Sequence, residues 1–199
     1  AQEIAAGLID LGIGIDECLC LLGHSTFESV LCDLALVQAG AVSVPIYPSS
    51  TADQCAAIVK DSGARTVIAD DPHQLSKLVS LQAQSPNLRL IYMREDGSPD
   101  AQFGIGEVAA GGGTRVSLAE VRRTGQTRLP DLQRELDQRQ AFVKPESVFT
   151  IVYTSGTTGK PKGVLLTHKN MVEAFASAIH AFDLAASDGQ QALAHGRAG

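Results

Sequence analysis

Apolar residues along the chain recur with two different periods, and the switch between them lays out a succession of helices and strands. Residues 1–11 carry Ile4, Leu8 and Leu11 on one helical face, with Gly12 behind them. A second helix is predicted over 27–38 from Val30, Leu31, Leu34 and Val37, with Gly40 placed to stop it. Ser50 precedes a third over 51–62, with Asp53 in a loose capping-box position and Gly63 at its end. Short apolar runs at 17–22, 41–47, 66–69 and 88–93 read as strands, and 72–83 as a further helix. Pro45 and Pro48 predict that the end of the 41–47 strand lies at a sheet edge or in a loop, because proline cannot donate to a ladder. Strands alternating with helices of roughly ten to fifteen residues predict an α/β fold of βαβ units with a mainly parallel sheet.

Beyond residue 96 the pattern changes. Residues 97–113 are rich in glycine and alanine, with serine and aspartate and no period, and are expected to form a mobile surface excursion. Gly104-Ile105-Gly106 lies there without the preceding strand that a dinucleotide-binding turn requires. Two short helices are expected at 118–123 and 131–140, with Arg134, Glu135, Asp137 and Arg139 on a solvated face. An apolar strand covers 148–152. Thr167 is placed to cap a helix over 168–182, with Met171, Ala174, Phe175 and Ala178 on its apolar side. Residues 186–199 form an unpatterned tail.

Composition narrows the classes. A chain of 199 residues that is 44% hydrophobic can bury one domain, or a domain and part of another. Its net charge of −6 offers no electrostatic footprint for nucleic acid. No apolar run approaches the roughly twenty residues of a membrane span, and no charged-then-apolar leader opens the chain, so a cytoplasmic protein is expected. The first residue is Ala1, and an upstream start is expected. Cys18, Cys20, Cys32 and Cys55 follow no zinc or redox spacing and are expected to be reduced and packed, with Cys18 and Cys20 on opposite faces of a strand. His24, His73 and His180 read as surface or packing positions without a partner, and His168 as a helix-start residue.

The densest chemistry is the run Tyr153-Thr154-Ser155-Gly156-Thr157-Thr158-Gly159-Lys160-Pro161-Lys162-Gly163. Glycines allow backbone N–H groups to close around an anion, hydroxyls add donors, and lysines add positive charge. This is a chemistry for holding a polyphosphate. It is not Walker A, since no Gly-Lys-Ser/Thr occurs.

The order of these eleven residues resembles the signature loop of the adenylate-forming enzymes: acyl-CoA synthetases, peptide-synthetase adenylation domains and luciferases. Val164 to Met171 is similar to the strand and helix start that follow in that family, and Gln38 to Pro48 to an earlier helix end and strand. Val44-Pro45-Ile46-Tyr47-Pro48-Ser49-Ser50 most resembles bacterial long-chain fatty acyl-CoA synthetases.

The resemblance implies the partial large N-terminal domain of an adenylate-forming enzyme over 1–199, with the C-terminal domain absent. It implies ATP, Mg2+ and coenzyme A as cofactors and a small-molecule carboxylic acid, a fatty acid, as substrate. A long-chain substrate is compatible with peripheral membrane contact, though no residue encodes it. Thr154, Ser155, Thr157 and Thr158 would donate hydroxyls to the phosphates, and Gly156, Gly159 and Gly163 would give backbone room. Lys162 would compensate phosphate charge beside the more variable Lys160. Thr154 would also help to hold magnesium. No catalytic residue is assigned, and His195 corresponds poorly to a pocket histidine of long-chain synthetases because the apolar strand around it is missing. The family's Tyr-Gly-x-Thr-Glu and Thr-Gly-Asp segments do not occur in these residues, so this chain alone is expected not to complete adenylation. Two other readings stand beside this one. One is a non-catalytic nucleotide-binding or interaction remnant; the other is an aromatic-acid ligase or a peptide-synthetase adenylation domain.

Overall fold

The computed structural model describes residues 1–85, 87–93, 114–155 and 161–181. The expected excursion at 97–113 and tail at 186–199, with His195, lie outside them. Six helices and seven strands are described: α1 (Gln2–Asp10), β1 (Cys18–Leu22), α2 (Phe27–Ala39), β2 (Val42–Ile46), α3 (Ala52–Ser62), β3 (Thr66–Ala69), α4 (Pro72–Gln84), β4 (Arg89–Tyr92), β5 (Arg115–Ser117), α5 (Leu118–Phe142), β6 (Val148–Ser155), β7 (Pro161–Thr167) and α6 (His168–Ala181).

The strands form one sheet in the order β5-β4-β3-β1-β2-β6-β7, parallel throughout except for the antiparallel β6–β7 pair. This is the mainly parallel α/β fold the alternation predicts. Strands covered on both faces need apolar residues at successive positions, and β1 (Cys-Leu-Cys-Leu-Leu) and β3 (Thr-Val-Ile-Ala) supply them. Leu19, Leu21, Ile68 and Ile91 face α1, α2 and α5, while Cys20, Leu22, Val67, Leu90 and Tyr92 face α3 and α4. The period of two therefore divides the interior into two cores.

Helix ends follow local chemistry. Gly40 and Gly63 close α2 and α3 in the left-handed region, at φ +72° and +68°. Thr51, rather than the residue before it, caps α3, and Gln54 rather than Asp53 completes the box: Gln54 N donates to Thr51 Oγ1 at 3.3 Å and Thr51 N to Gln54 Oε1 at 2.9 Å. Gln54 stands three residues after the cap, where its side chain faces the cap amide, whereas Asp53 stands one residue too early.

Four expectations are corrected. Pro48 lies in the turn after β2, as expected, but Pro45 lies within the strand, which is internal, between β1 and β6. Pro45 is tolerated because β2 pairs with β6 at Ser43↔Thr150, short of the proline. The two helices expected after residue 117 are one helix of 25 residues running through Pro130. Pro130 is exposed, while Leu129 and Leu132 beside it pack on the core, so packing on both sides of the lost hydrogen bond carries the helix through. Arg139 is not solvated: its side chain is 11% exposed and donates to the Ile13 and Ala39 carbonyls at 2.8 and 3.0 Å. Cys18 packs against the same core as Cys20, because residues two apart on a strand share a face. All four cysteines are free thiols, with Cys20, Cys32 and Cys55 buried.

α1 and α5 touch backbone to backbone. A Cβ at Gly125 would collide with the Glu3 carbonyl oxygen, and one at Gly7 with that of Val121. No described helix is long and apolar enough to cross a membrane.

Candidate functional site

In a parallel sheet, ligands gather where the carboxyl ends of strands open into loops. β6 runs parallel to β2 and reaches that edge at Ser155, and the chain returns from it as β7. Gly156, Thr157, Thr158, Gly159 and Lys160 lie between the two strands, outside the described residues.

The hairpin register fixes what stands at the mouth of the loop. Ser155 pairs with Pro161, Thr154 with Lys162, and Tyr153 with Gly163. Directly opposed residues of an antiparallel pair project to the same face. Tyr153 points inward and is 8% exposed, whereas Thr154 and Lys162 are both exposed on the other face. The structure thus brings a hydroxyl and an ammonium, two of the residues expected to hold phosphate, to one face beside the loop.

Two hydrogen bonds dock this strand on the fold. Thr150 Oγ1 donates to the Ser43 carbonyl of β2 at 2.9 Å. Tyr153 Oη donates to Asp61 Oδ2 on α3 at 2.7 Å. Burial, then the hydrogen bond and charge of Asp61, hold the phenol well above the ordinary tyrosine range, so it remains a donor. Asp61 gave no sequence signal, since an acidic residue on a helix reads as solvated surface.

His168 opens α6, as expected, and its ring meets Phe149 edge-on with centroids 5.2 Å apart. Burial lowers its pKa. Thr167 caps the helix, accepting from Asn170 N at 3.2 Å.

One cluster at the same sheet edge was not anticipated. His24, read as lacking a partner, has Nδ1 2.9 Å from Asp70 Oδ2, and that oxygen also accepts the His24 amide at 2.6 Å. Asp71 caps α4 by accepting from Gln74 N at 2.8 Å. These bonds tie the loops after β1 and β3 together.

A profile of the AMP-binding enzyme family matches residues 1–194. Long-chain-fatty-acid–CoA ligase ACSBG2 of Xenopus laevis is 31% identical over 174 residues, covering 87% of this chain and 22% of that protein. Long-chain-fatty-acid–CoA ligase FadD15 of Mycobacterium tuberculosis is 30% identical over 171 residues, covering 86% of this chain and 25% of that one. The chain therefore spans about a quarter of the length of these relatives. Among solved structures, apo MbtA of Mycobacterium smegmatis superposes with a TM-score of 0.64 at 22% identity, over 85% of this chain and 27% of its own. A fatty acyl-adenylate ligase from L. pneumophila gives 0.57 at 21% identity, over 92% of this chain and 26% of its own. At such identities the structures establish a shared fold.

Proposed function

Because the chain belongs to the AMP-binding enzyme family, we propose that residues 154–163 hold the phosphates of ATP within the large N-terminal domain of a longer acid–thiol ligase. The observation that supports this reading most directly is the pairing of Thr154 with Lys162 on one exposed face, where β6 leaves the sheet and β7 re-enters it. A hydroxyl and a cation at a strand's carboxyl end suit the oxygens of a polyphosphate.

In the proposed reaction a carboxylate attacks the α-phosphorus of ATP, giving an acyl adenylate and pyrophosphate. The thiol of coenzyme A then displaces AMP to form the thioester. The part of this chain is to hold the leaving pyrophosphate in place and to offset its charge, which lowers the cost of alignment and of charge build-up. Lys162 acts as a point charge toward the β- and γ-phosphates, and Thr154, Ser155, Thr157 and Thr158 donate to them. Thr154 offers one neutral oxygen opposite a cation, which is too little to bind free magnesium. It could add one ligand to an ion arriving on the nucleotide, and magnesium held there would offset phosphate charge. A long-chain fatty acid is the proposed substrate, since ACSBG2 of Xenopus laevis and FadD15 of Mycobacterium tuberculosis, at 31% and 30% identity, are named long-chain-fatty-acid–CoA ligases.

The test is equilibrium binding of MgATP to the purified chain and to Lys162→Ala, with circular dichroism to establish folding. Weaker binding by the folded variant is expected, because an exposed lysine contributes little to packing. Equal affinity would overturn the role of Lys162.

A further inference from the structure

Tyr153 is the last described side chain that β6 sends into the core before the loop, and it meets β7 and α3. Its cross-strand partner is Gly163. A Cβ at Gly163 would lie 3.2 Å from Tyr153 Cζ, 3.4 Å from Oη and 2.9 Å from Ile151 Cγ2. The ring therefore lies across β7 where a side chain is missing, and any larger residue would push it away. Beyond β7 its hydroxyl reaches the carboxylate of Asp61 on α3.

A buried hydroxyl needs a partner, but this partner is costly in its place. Asp61 stands in the last turn of α3, directly before Ser62 and the Gly63 cap. Negative charge there opposes the helix dipole. Its short bond to Tyr153 is the interaction the structure shows for this carboxylate, and the residue pair next to the ring is Thr154 and Lys162. A shift of the ring carries both strands at the mouth of the loop with it.

We propose that Asp61 is a positioning residue for phosphate binding: by holding the Tyr153 hydroxyl it fixes the base of the β6–β7 hairpin and sets how well Thr154 and Lys162 are placed toward a polyphosphate, without touching the ligand. The proposal rests on the ATP reading above. It differs from a purely structural role in that its loss falls on the hairpin and on nucleotide affinity rather than on the whole fold.

Three single variants and one double variant test it: Tyr153→Phe, Asp61→Ala, Asp61→Asn, and Tyr153→Phe combined with Asp61→Ala. The first removes one oxygen and the second an exposed carboxylate, so both are expected to fold. Two measurements are made on each: MgATP affinity by calorimetry, and amide hydrogen exchange at Thr154, Lys162 and Gly163 against that of β1 and β3. Tyr153→Phe and Asp61→Ala are each expected to weaken MgATP binding by about three- to tenfold, the size of one lost hydrogen bond to a charged group partly transmitted to the ligand. The double variant should be no weaker than either single one, since both remove the same bond. Asp61→Asn should stay near wild type, because its amide oxygen still accepts. Hairpin amides should exchange faster in the two disruptive variants, with β1 and β3 unchanged. Wild-type affinity and wild-type hairpin exchange in both would overturn the proposal, as would Asp61→Asn failing as badly as Asp61→Ala. If the unsubstituted chain binds no MgATP, the ATP reading fails by itself. Hairpin exchange then still decides the role of Asp61: acceleration supports the clamp and no change overturns it.

Discussion

Asp33 on α2 accepts the hydroxyl of Ser43 on β2 at 2.6 Å, and the Ser43 carbonyl in turn accepts from Thr150 on β6. One part-buried polar chain thus links a helix to the two strands beneath the candidate site. Burial raises the pKa of Asp33, and the Ser43 bond only partly offsets this. A carboxylate whose folded pKa lies above its unfolded one costs stability once it ionises. The cost is absent below the unfolded value, near 3.9, and grows as pH rises through the folded one. Asp33→Asn keeps an accepting oxygen and removes the charge. It is expected to raise Tm at pH 7, where about 1 kcal/mol reads as 2–4 °C, and the gap should close as pH falls toward 4. A variant less stable than wild type at pH 7 would show that the ionised carboxylate is itself needed.

Gly125→Ala tests the contact between α1 and α5. On an isolated helix this change would favour folding by about 1 kcal/mol. Here the new methyl meets the Glu3 carbonyl and the Gly7 amide, and separating the helices is expected to cost about 1–3 kcal/mol net of that gain. Urea denaturation measures it. A variant as stable as wild type would mean that the two backbones are not in contact.

What the sequence reveals and what it hides separate along the same lines. Helix stops at Gly40 and Gly63 and the strand at 66–69 are legible because backbone geometry and two-sided burial leave local marks. The continuous α5 is not legible. Pro130 is a local stop signal, and what overrides it is the packing of Leu129, Leu132 and Gly125 on distant α1 and its core. Arg139 looks like surface in a charged run, yet its acceptors, Ile13 and Ala39, are far away in sequence. At the site, Thr154 and Lys162 are proposed to touch phosphate from their order in the sequence. Their support, Asp61 beneath Tyr153, exists only once α3 has packed against the hairpin.

His168 provides a pH signature. Burial lowers its folded pKa below the unfolded value, so folding favours the neutral ring. Its contribution is present above about pH 6.5 and is lost as pH falls through the folded value. Wild type is expected to lose more stability than His168→Phe between pH 7 and 5, because phenylalanine can keep an aromatic contact to Phe149 without a charge. Parallel pH profiles for the two proteins would remove His168 as the source.

Val172, Phe175 and Ile179 on α6 are 67%, 61% and 53% exposed; of the side expected to be apolar, Met171 and Ala178 are half-buried while Ala174 and Phe175 are uncovered by the described residues. A side chain so exposed contributes little to folding, and Phe175→Ser is expected to change stability by no more than about 0.5 kcal/mol. It should reduce binding of a hydrophobic dye. A clear fall in Tm would instead show that Phe175 is buried in solution.

Removal of single groups at the loop should rank by charge. Thr154→Ala, Ser155→Ala and Thr158→Ala each remove one neutral donor, worth about 0.5–1.5 kcal/mol, whereas Lys162→Ala removes a charged one, worth about 1.5–3 kcal/mol. Calorimetry with MgATP is expected to place Lys162→Ala lowest. Raising the salt concentration should shrink its deficit, because Lys162 is exposed and its attraction is screened within roughly 10 Å at 0.1 M. Thr154→Ala should keep its deficit at all salt concentrations, since a hydroxyl carries no net charge. Equal salt dependence in the two variants would mean that Lys162 acts by packing rather than by its charge.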